Sequence, residues 1–110
     1  MDSRITEVTP QWSVPASADN AVATATRAGE PGRTHFVSGF LASFSAQVAG
    51  KELTLSDGGT VIVRTHVHNS LALMLPKPLR ITPGQPVTLS LQASGSAGVV
   101  GAVTLFGYTV

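Results

Sequence analysis

The sequence predicts an all-β domain: an antiparallel β-sandwich of the jelly-roll kind, preceded by an extended N-terminal arm. Three observations carry this. Short segments of alternating apolar and small polar residues recur at intervals of about ten residues, with turn chemistry between them. No segment holds the i, i+3, i+4, i+7 spacing of an amphipathic helix over a helix's length. The composition is 43% hydrophobic but only 5% aromatic, with 11 Gly and 7 Pro, and 23 of the 110 positions are Ser or Thr. Such a chain has apolar content for one core and many small residues for close strand packing. Two cores would leave each half too small to be stable without a disulfide or a metal. We therefore read one sandwich domain over residues 34–110, with residues 1–33 as the arm.

The arm holds Pro10, Pro15 and Pro31, and Trp12 is the only tryptophan. Ala21 to Ala28 alternates small residues with Val22, Thr24 and Thr26 and reads either as a short strand or as part of the arm. The segment around Trp12 reads either as a frayed terminus or as an extension that docks its indole on a neighbouring subunit. His35 to Ala46 is a long strand. Its period-two reading puts Phe36, Phe40 and Phe44 on one face, and Val37, Gly39 and Leu41 on the other. Lys51 to Ser56 and Thr60 to His68 flank Asp57-Gly58-Gly59 and form the clearest hairpin, because Gly takes positive φ without steric cost. Asn69-Ser70 marks a break before Leu71 to Leu75. Pro76-Lys77-Pro78 interrupts pairing, since Pro cannot donate to a ladder, and a short strand resumes at Leu79-Arg80-Ile81. Pro83-Gly84 is a turn. Val87 to Ala93 alternates cleanly, Ser94 to Gly98 is a loop, and Val99 to Val110 is the last strand. Phe106 and Tyr108 share one face of that strand and Val103, Leu105 and Thr109 the other. Both faces are largely apolar, so the strand reads either as central, with one side covered by the second sheet and the other by a neighbouring subunit, or as an ordinary core strand with an exposed Tyr108.

Charge and cysteine content exclude several functions. A net charge of +1 without a Lys/Arg cluster leaves no electrostatic footprint for nucleic acid. No apolar run approaches the ~18–20 residues of a membrane span. The start, Met1-Asp2-Ser3-Arg4, lacks the apolar stretch of a secretory signal, which leads us to expect synthesis in the cytoplasm. Without cysteine there is no disulfide framework, thiol nucleophile or thiolate zinc site. Charged residues make up only 12% of the chain, and sparse charge is a property of surfaces buried by partners. A homo-oligomer is expected, with Trp12, Phe106 and Tyr108 as candidate interface residues.

Candidate chemistry is thin. His66 and His68 lie two apart on a strand and point to one face. With His35 they are the weak candidates for a metal site of the cupin kind, which would require all three to converge on one ion. No carboxylate follows His68 closely, and the default reading is a polar His pair without metal or other cofactor. No Gly-x-Ser-x-Gly elbow or phosphate loop is present, and no enzymatic activity is expected.

The segment from Thr34-His35-Phe36-Val37-Ser38-Gly39 through Ala42-Ser43-Phe44-Ser45-Ala46 resembles small structural proteins of tailed bacteriophages and prophages. So do the hairpin at Leu53 to Gly58, the Pro-bounded Leu79 to Gly84, and the closing Leu91 to Gly95 and Val103 to Tyr108. The closing strand also looks like that of trimeric jelly rolls of the tumour-necrosis-factor and complement type. The resemblance implies a virion component, most directly a capsid decoration (cement) protein that binds capsomers and sits on the capsid surface after synthesis in the host cytoplasm. Its partners would be the major capsid protein or another virion protein and copies of itself, a trimer in preference to a dimer. The alternative from the fold alone is a jelly-roll binding module for a carbohydrate or cell-surface ligand, as in a tail or fibre component.

Overall fold

The computed structural model describes residues 11–110, so the first ten residues of the arm lie outside the described residues. Eight strands follow: β1 (Gln11–Asp19), β2 (Ala23–Arg27), β3 (His35–Phe44), β4 (Lys51–Asp57), β5 (Thr60–Val67), β6 (Ser70–Arg80), β7 (Val87–Leu91) and β8 (Val100–Thr109). They form two four-stranded sheets, ordered β1-β8-β3-β6 and β2-β7-β4-β5. The antiparallel pairs β1–β8, β2–β7, β3–β6 and β4–β5 are nested one inside the next. This is one long hairpin, tipped at Gly58-Gly59, rolled up so that alternate stretches fall in opposite sheets. The roll is the jelly roll that the strand spacing predicts.

Alternation puts one side of each strand into the core. On β7, Val87, Leu89 and Leu91 are buried and Thr88 and Ser90 are not. On β4 the buried pair is Leu53 and Leu55, and on β8 the inward set includes Val103 and Leu105. Phe40, Phe44, Val37 and Ile81 complete the centre. The hairpin and the last strand thus stand where the sequence places them, and β8 is central, with β1 on one side and β3 on the other.

Two differences from the sequence reading have clear causes. The first is the arm. Within residues 1–33, the described part from Gln11 to Arg27 supplies the first strand of each sheet. Val14, Ala16 and Ala18 of β1 pack against the core, and β1 pairs with β8 along its whole length, from Gln11↔Tyr108 to Asp19↔Val100. Serines and prolines had masked a period-two pattern that needs only small apolar residues on an edge strand. The second is β3. Its pairing shifts register between Val37 and Gly39, so a bulge separates Phe36 from Phe40. One extra residue turns the strand over. Phe40 and Phe44 face the core with Val37, while Phe36 and Leu41 face outward. Gly39 is required there: a Cβ would stand 2.5 Å from the Leu73 carbonyl oxygen and 2.9 Å from Met74 Sδ. Pro76-Lys77-Pro78 interrupts pairing as expected, since the register with β3 passes from Met74 directly to Leu79.

Candidate functional site

The outward side of the sheet β1-β8-β3-β6 differs from an ordinary solvated face. Along β8 every second residue points out, giving Ala102, Thr104, Phe106 and Tyr108. Beside them β3 contributes Phe36, Leu41 and Ser43, each paired across to β8. The edge strand β1 adds Ser13, Pro15 and Ser17, and the other edge, β6, adds Ser70, Ala72 and Met74. None of these is charged. The charged residues of this side stand at its margins, with Asp19 closing β1 at one corner and Arg80 closing β6 at the diagonally opposite one. Lys77 sits in the proline-flanked bulge at the β6 edge.

The face has relief. Phe36 and Tyr108, opposite each other in register, stack with centroids 5.1 Å apart and planes 8° from parallel. Met74 is 63% exposed and Leu41 40%. Phe36, Tyr108, Met74 and Phe106 make one half bulky, and Leu41 stands mid-face at the border of the other. The other half is built of Ala and Ser and is hollow. A depression of about 270 Å³ is lined by Ser43, Ser70, Ala72, Ala102 and Thr104 among others. A second, of about 390 Å³, lies between Pro15, Ser17 and Ala102. A third, of about 310 Å³, lies among Gln11, Trp12, Ser13, Ser38, Met74 and Phe106.

Of the residues singled out from the sequence, Phe106 and Tyr108 stand on this face. Trp12 does not project from it. Its indole turns inward and closes one end of the sandwich. Trp12 Nε1–H donates to Thr109 Oγ1 at 2.9 Å, and its ring meets His35 edge-on at 5.7 Å. The Arg27 guanidinium lies 5.5 Å from the ring centroid. Expected as an anchor on a neighbouring subunit, the tryptophan is instead held by its own. Gly107 makes room for it, because a Cβ there would contact the Phe36 carbonyl and the indole.

The three histidines do not converge. His35 is 2% exposed on the core side of β3. Its Nε2–H donates to the Ala28 carbonyl at 2.7 Å, and its Nδ1 lies 2.7 Å from Thr109 Oγ1. Because a carbonyl only accepts, Nε2 carries a hydrogen, and Thr109 Oγ1, which accepts from Trp12, is also the hydrogen-bond partner of Nδ1. His66 lies on β5, the edge of the opposite sheet, and His68 just beyond that strand's end, its ring over Gly50. Among the described residues no three metal-ligating side chains come together. The cupin-like reading requires that convergence and is corrected accordingly: a strand in one sheet and an edge hairpin in the other hold His35 apart from the pair.

The outer side of the second sheet is mostly polar, with Val61 and Ile62 of β5 exposed at its edge. Thr24, Ser90 and Thr54 form one cross-strand row and Thr26, Thr88 and Ser56 another. The hydroxyls of Thr24 and Ser90, and of Thr26 and Thr88, lie 3.4 and 3.3 Å apart. Beyond them Arg64 donates to Glu52 at 2.8 Å. Among the described residues no helix is long and apolar enough to cross a membrane.

No protein-family model matches the sequence, and neither does any curated protein. Solved structures with a similar sandwich include the insecticidal δ-endotoxin Cry8Ea1 from Bacillus thuringiensis, at 13% identity and a TM-score of 0.47 over 86% of this chain. The chain spans 18% of the endotoxin's length. The periplasmic lysozyme inhibitor PliG of Aeromonas hydrophila is similar at 8% identity and a TM-score of 0.39, over 89% of this chain and 87% of that one. The carbohydrate-binding module CBM36, solved with calcium and xylotriose, is similar at 12% identity and a TM-score of 0.36, over 94% and 90% of the two chains. Likeness at this level is one of architecture alone.

Proposed function

We propose that this protein is a non-catalytic assembly protein that works by adhesion through the outer face of the β1-β8-β3-β6 sheet. The observation that supports this reading most is the absence of charge from a four-stranded face that carries exposed Met74 and Leu41 beside half-buried Phe36 and Phe106. Depletion of charge at the centre with a polar rim is the composition of a protein–protein interface core, and a contiguous exposed apolar patch marks an interaction surface. Among the described residues no histidine or carboxylate stands beside the serine and threonine hydroxyls of the face to activate them, and no metal-ligand set is present, so the role proposed is binding without turnover. In its finer form the reading is a capsid decoration protein of a tailed phage, a role that rests on the resemblance of residues 34–110. A cement protein needs broad apolar and hydroxyl contacts with capsomers, and this face is of that kind.

A second reading has one observation in its favour. The depression among Phe106, Gln11, Ser13 and Ser38 combines an aromatic ring with amide and hydroxyl groups, as a sugar-binding subsite does. The same face offers no outward carboxylate or guanidinium near its centre to grip sugar hydroxyls, which favours protein as the partner.

The test sets the two against each other. The purified full chain is co-sedimented with empty heads assembled from the major capsid protein of the same genome. In parallel it is run by affinity electrophoresis through soluble xylan, glucan and mannan. Saturable co-sedimentation, lost on Phe106→Lys, with no retardation in any polysaccharide, is the expected result. Retardation abolished by Phe106→Ala, without binding to heads, would replace the assembly reading by the carbohydrate one.

A further inference from the structure

We propose that the outer face of β1-β8-β3-β6 pairs with the same face of a second copy of this chain across a two-fold axis. Resting on the assembly reading above, the inference names the occupant of that surface in the free protein; because the dimer covers the face, binding to heads requires the dimer to dissociate.

Three features of the face point to a copy of itself. The first is shape. The bulky end, with Phe36, Phe106 and Met74 around one depression of about 310 Å³, and the Ala/Ser end around Ala102, with depressions of about 270 and 390 Å³, lie at opposite ends of one surface. A two-fold axis in the plane of the face, passing near its middle, lays the bulky half of each copy over the hollow half of the other. Leu41, exposed near the middle of the face, then meets its own counterpart near the axis. The second feature is charge. Asp19 and Arg80 occupy diagonal corners, both exposed. When the axis runs perpendicular to the line joining them, Asp19 of each copy stands opposite Arg80 of the other, so the pair forms twice at the rim of an uncharged centre. The same contact read in parallel register would set Asp19 against Asp19, which specifies one orientation.

The third feature is area. Four strands about 4.8 Å apart, nine residues long at about 3.3 Å each, span roughly 570 Å² before side-chain relief is counted. Two such faces remove about 1,140 Å² from water before side-chain relief is added, just below the ~1,200 Å² at which stable specific interfaces begin. A self-complementary patch of this kind is isologous and closes at two copies. A trimer, the state implied by likeness to trimeric jelly rolls, needs two different complementary patches. The other sheet, with Glu52, Arg64 and a hydroxyl ladder on its outer side, does not supply the second one.

Sedimentation equilibrium of the full chain over a series from low to high micromolar concentration tests the proposal. The expected wild-type result is a reversible dimer. Ala102→Lys fills the hollow half with a charged chain and should weaken association at least 100-fold, and Leu41→Glu should do the same near the axis. Circular dichroism melts verify that each variant is folded, and either of the two suffices. Arg80→Asp alone and Asp19→Arg alone should each weaken the dimer, and the double variant should recover to within a few fold of wild type. A purely intramolecular role for either residue cannot produce that recovery. A wild-type monomer at every concentration, folded face variants that still dimerise, or a double variant as weak as the singles would each overturn the dimer. A monomer that still co-sediments with empty heads would leave the assembly reading standing, whereas loss of both would remove it too.

Discussion

Thr109 joins three strands through one hydroxyl. It accepts from Trp12 on β1, bonds to His35 Nδ1 on β3, and itself belongs to β8, while His35 passes the chain on to the Ala28 carbonyl. Every donor in this buried run has an acceptor, which removes the penalty of placing an imidazole in the core. Thr109→Val keeps the shape and removes the hydroxyl, leaving His35 Nδ1 without a partner. We expect a loss of about 1–3 kcal/mol, read as a lower urea midpoint at unchanged slope. The lone tryptophan, seated beside the histidine ring, reports the same change by its fluorescence. Exposed Arg64 is the contrast case: its pair with Glu52 is solvent-screened, and such pairs contribute little.

Among the elements, β3 and β1 decide what the molecule presents. The bulge between Val37 and Gly39 gives Phe36 and Leu41 to the outside and Phe40 and Phe44 to the core. Gly39→Ala forces a Cβ against the Leu73 carbonyl and Met74. The expected cost is about 1–3 kcal/mol of overpacking, seen as a lower melting temperature. Because the β6 backbone at Leu73-Met74 must shift and carries Met74 with it, the outer face should lose affinity for its partner as well. Strand β1 covers one edge of β8 and seals the core with Trp12, Val14, Ala16 and Ala18. A chain beginning at Asn20 bares that edge and those contacts, and we expect no cooperative thermal transition by circular dichroism. Retention of a sharp transition would show that β1 is dispensable.

At the scale of the whole molecule, the nested pairing makes nearly every ladder long-range, up to Gln11 with Tyr108. Local propensity alone therefore cannot assemble it, and the hairpin at Gly58-Gly59 is the one piece whose partners are neighbours in the chain. The sandwich that results has two unlike outer faces. One is a hydroxyl ladder edged by an ion pair, at home in water. The other is uncharged, half bulky and half hollow, and carries the predictions of head binding and two-fold association. Low charge in the composition signalled that a surface of this kind exists, without saying where.

Much of the architecture was legible because a period of two is written directly in side-chain type. Val87 to Leu91, Leu53 with Leu55, and the two faces of β8 need no partner to be read. The class of fold follows from such segments, from their turns and from the lack of a helical period. The pairing order does not, because hydrogen bonds between strands ninety residues apart leave no local trace. Nor does the face of Phe36, since a single bulge residue inverts every side chain on one side of it. Trp12 looked like an anchor for another subunit, and only the positions of Gly107, Thr109 and His35 in space show that its own chain holds it. The histidines looked like a set because they are few, but the roll of the hairpin sends His35 and His66 to different sheets. Sequence alone thus determined the fold class, the hairpin and the central strand, through local periodicity and turn chemistry. Tertiary structure decided which side chains share a surface, because that depends on register and on which strands the roll brings together.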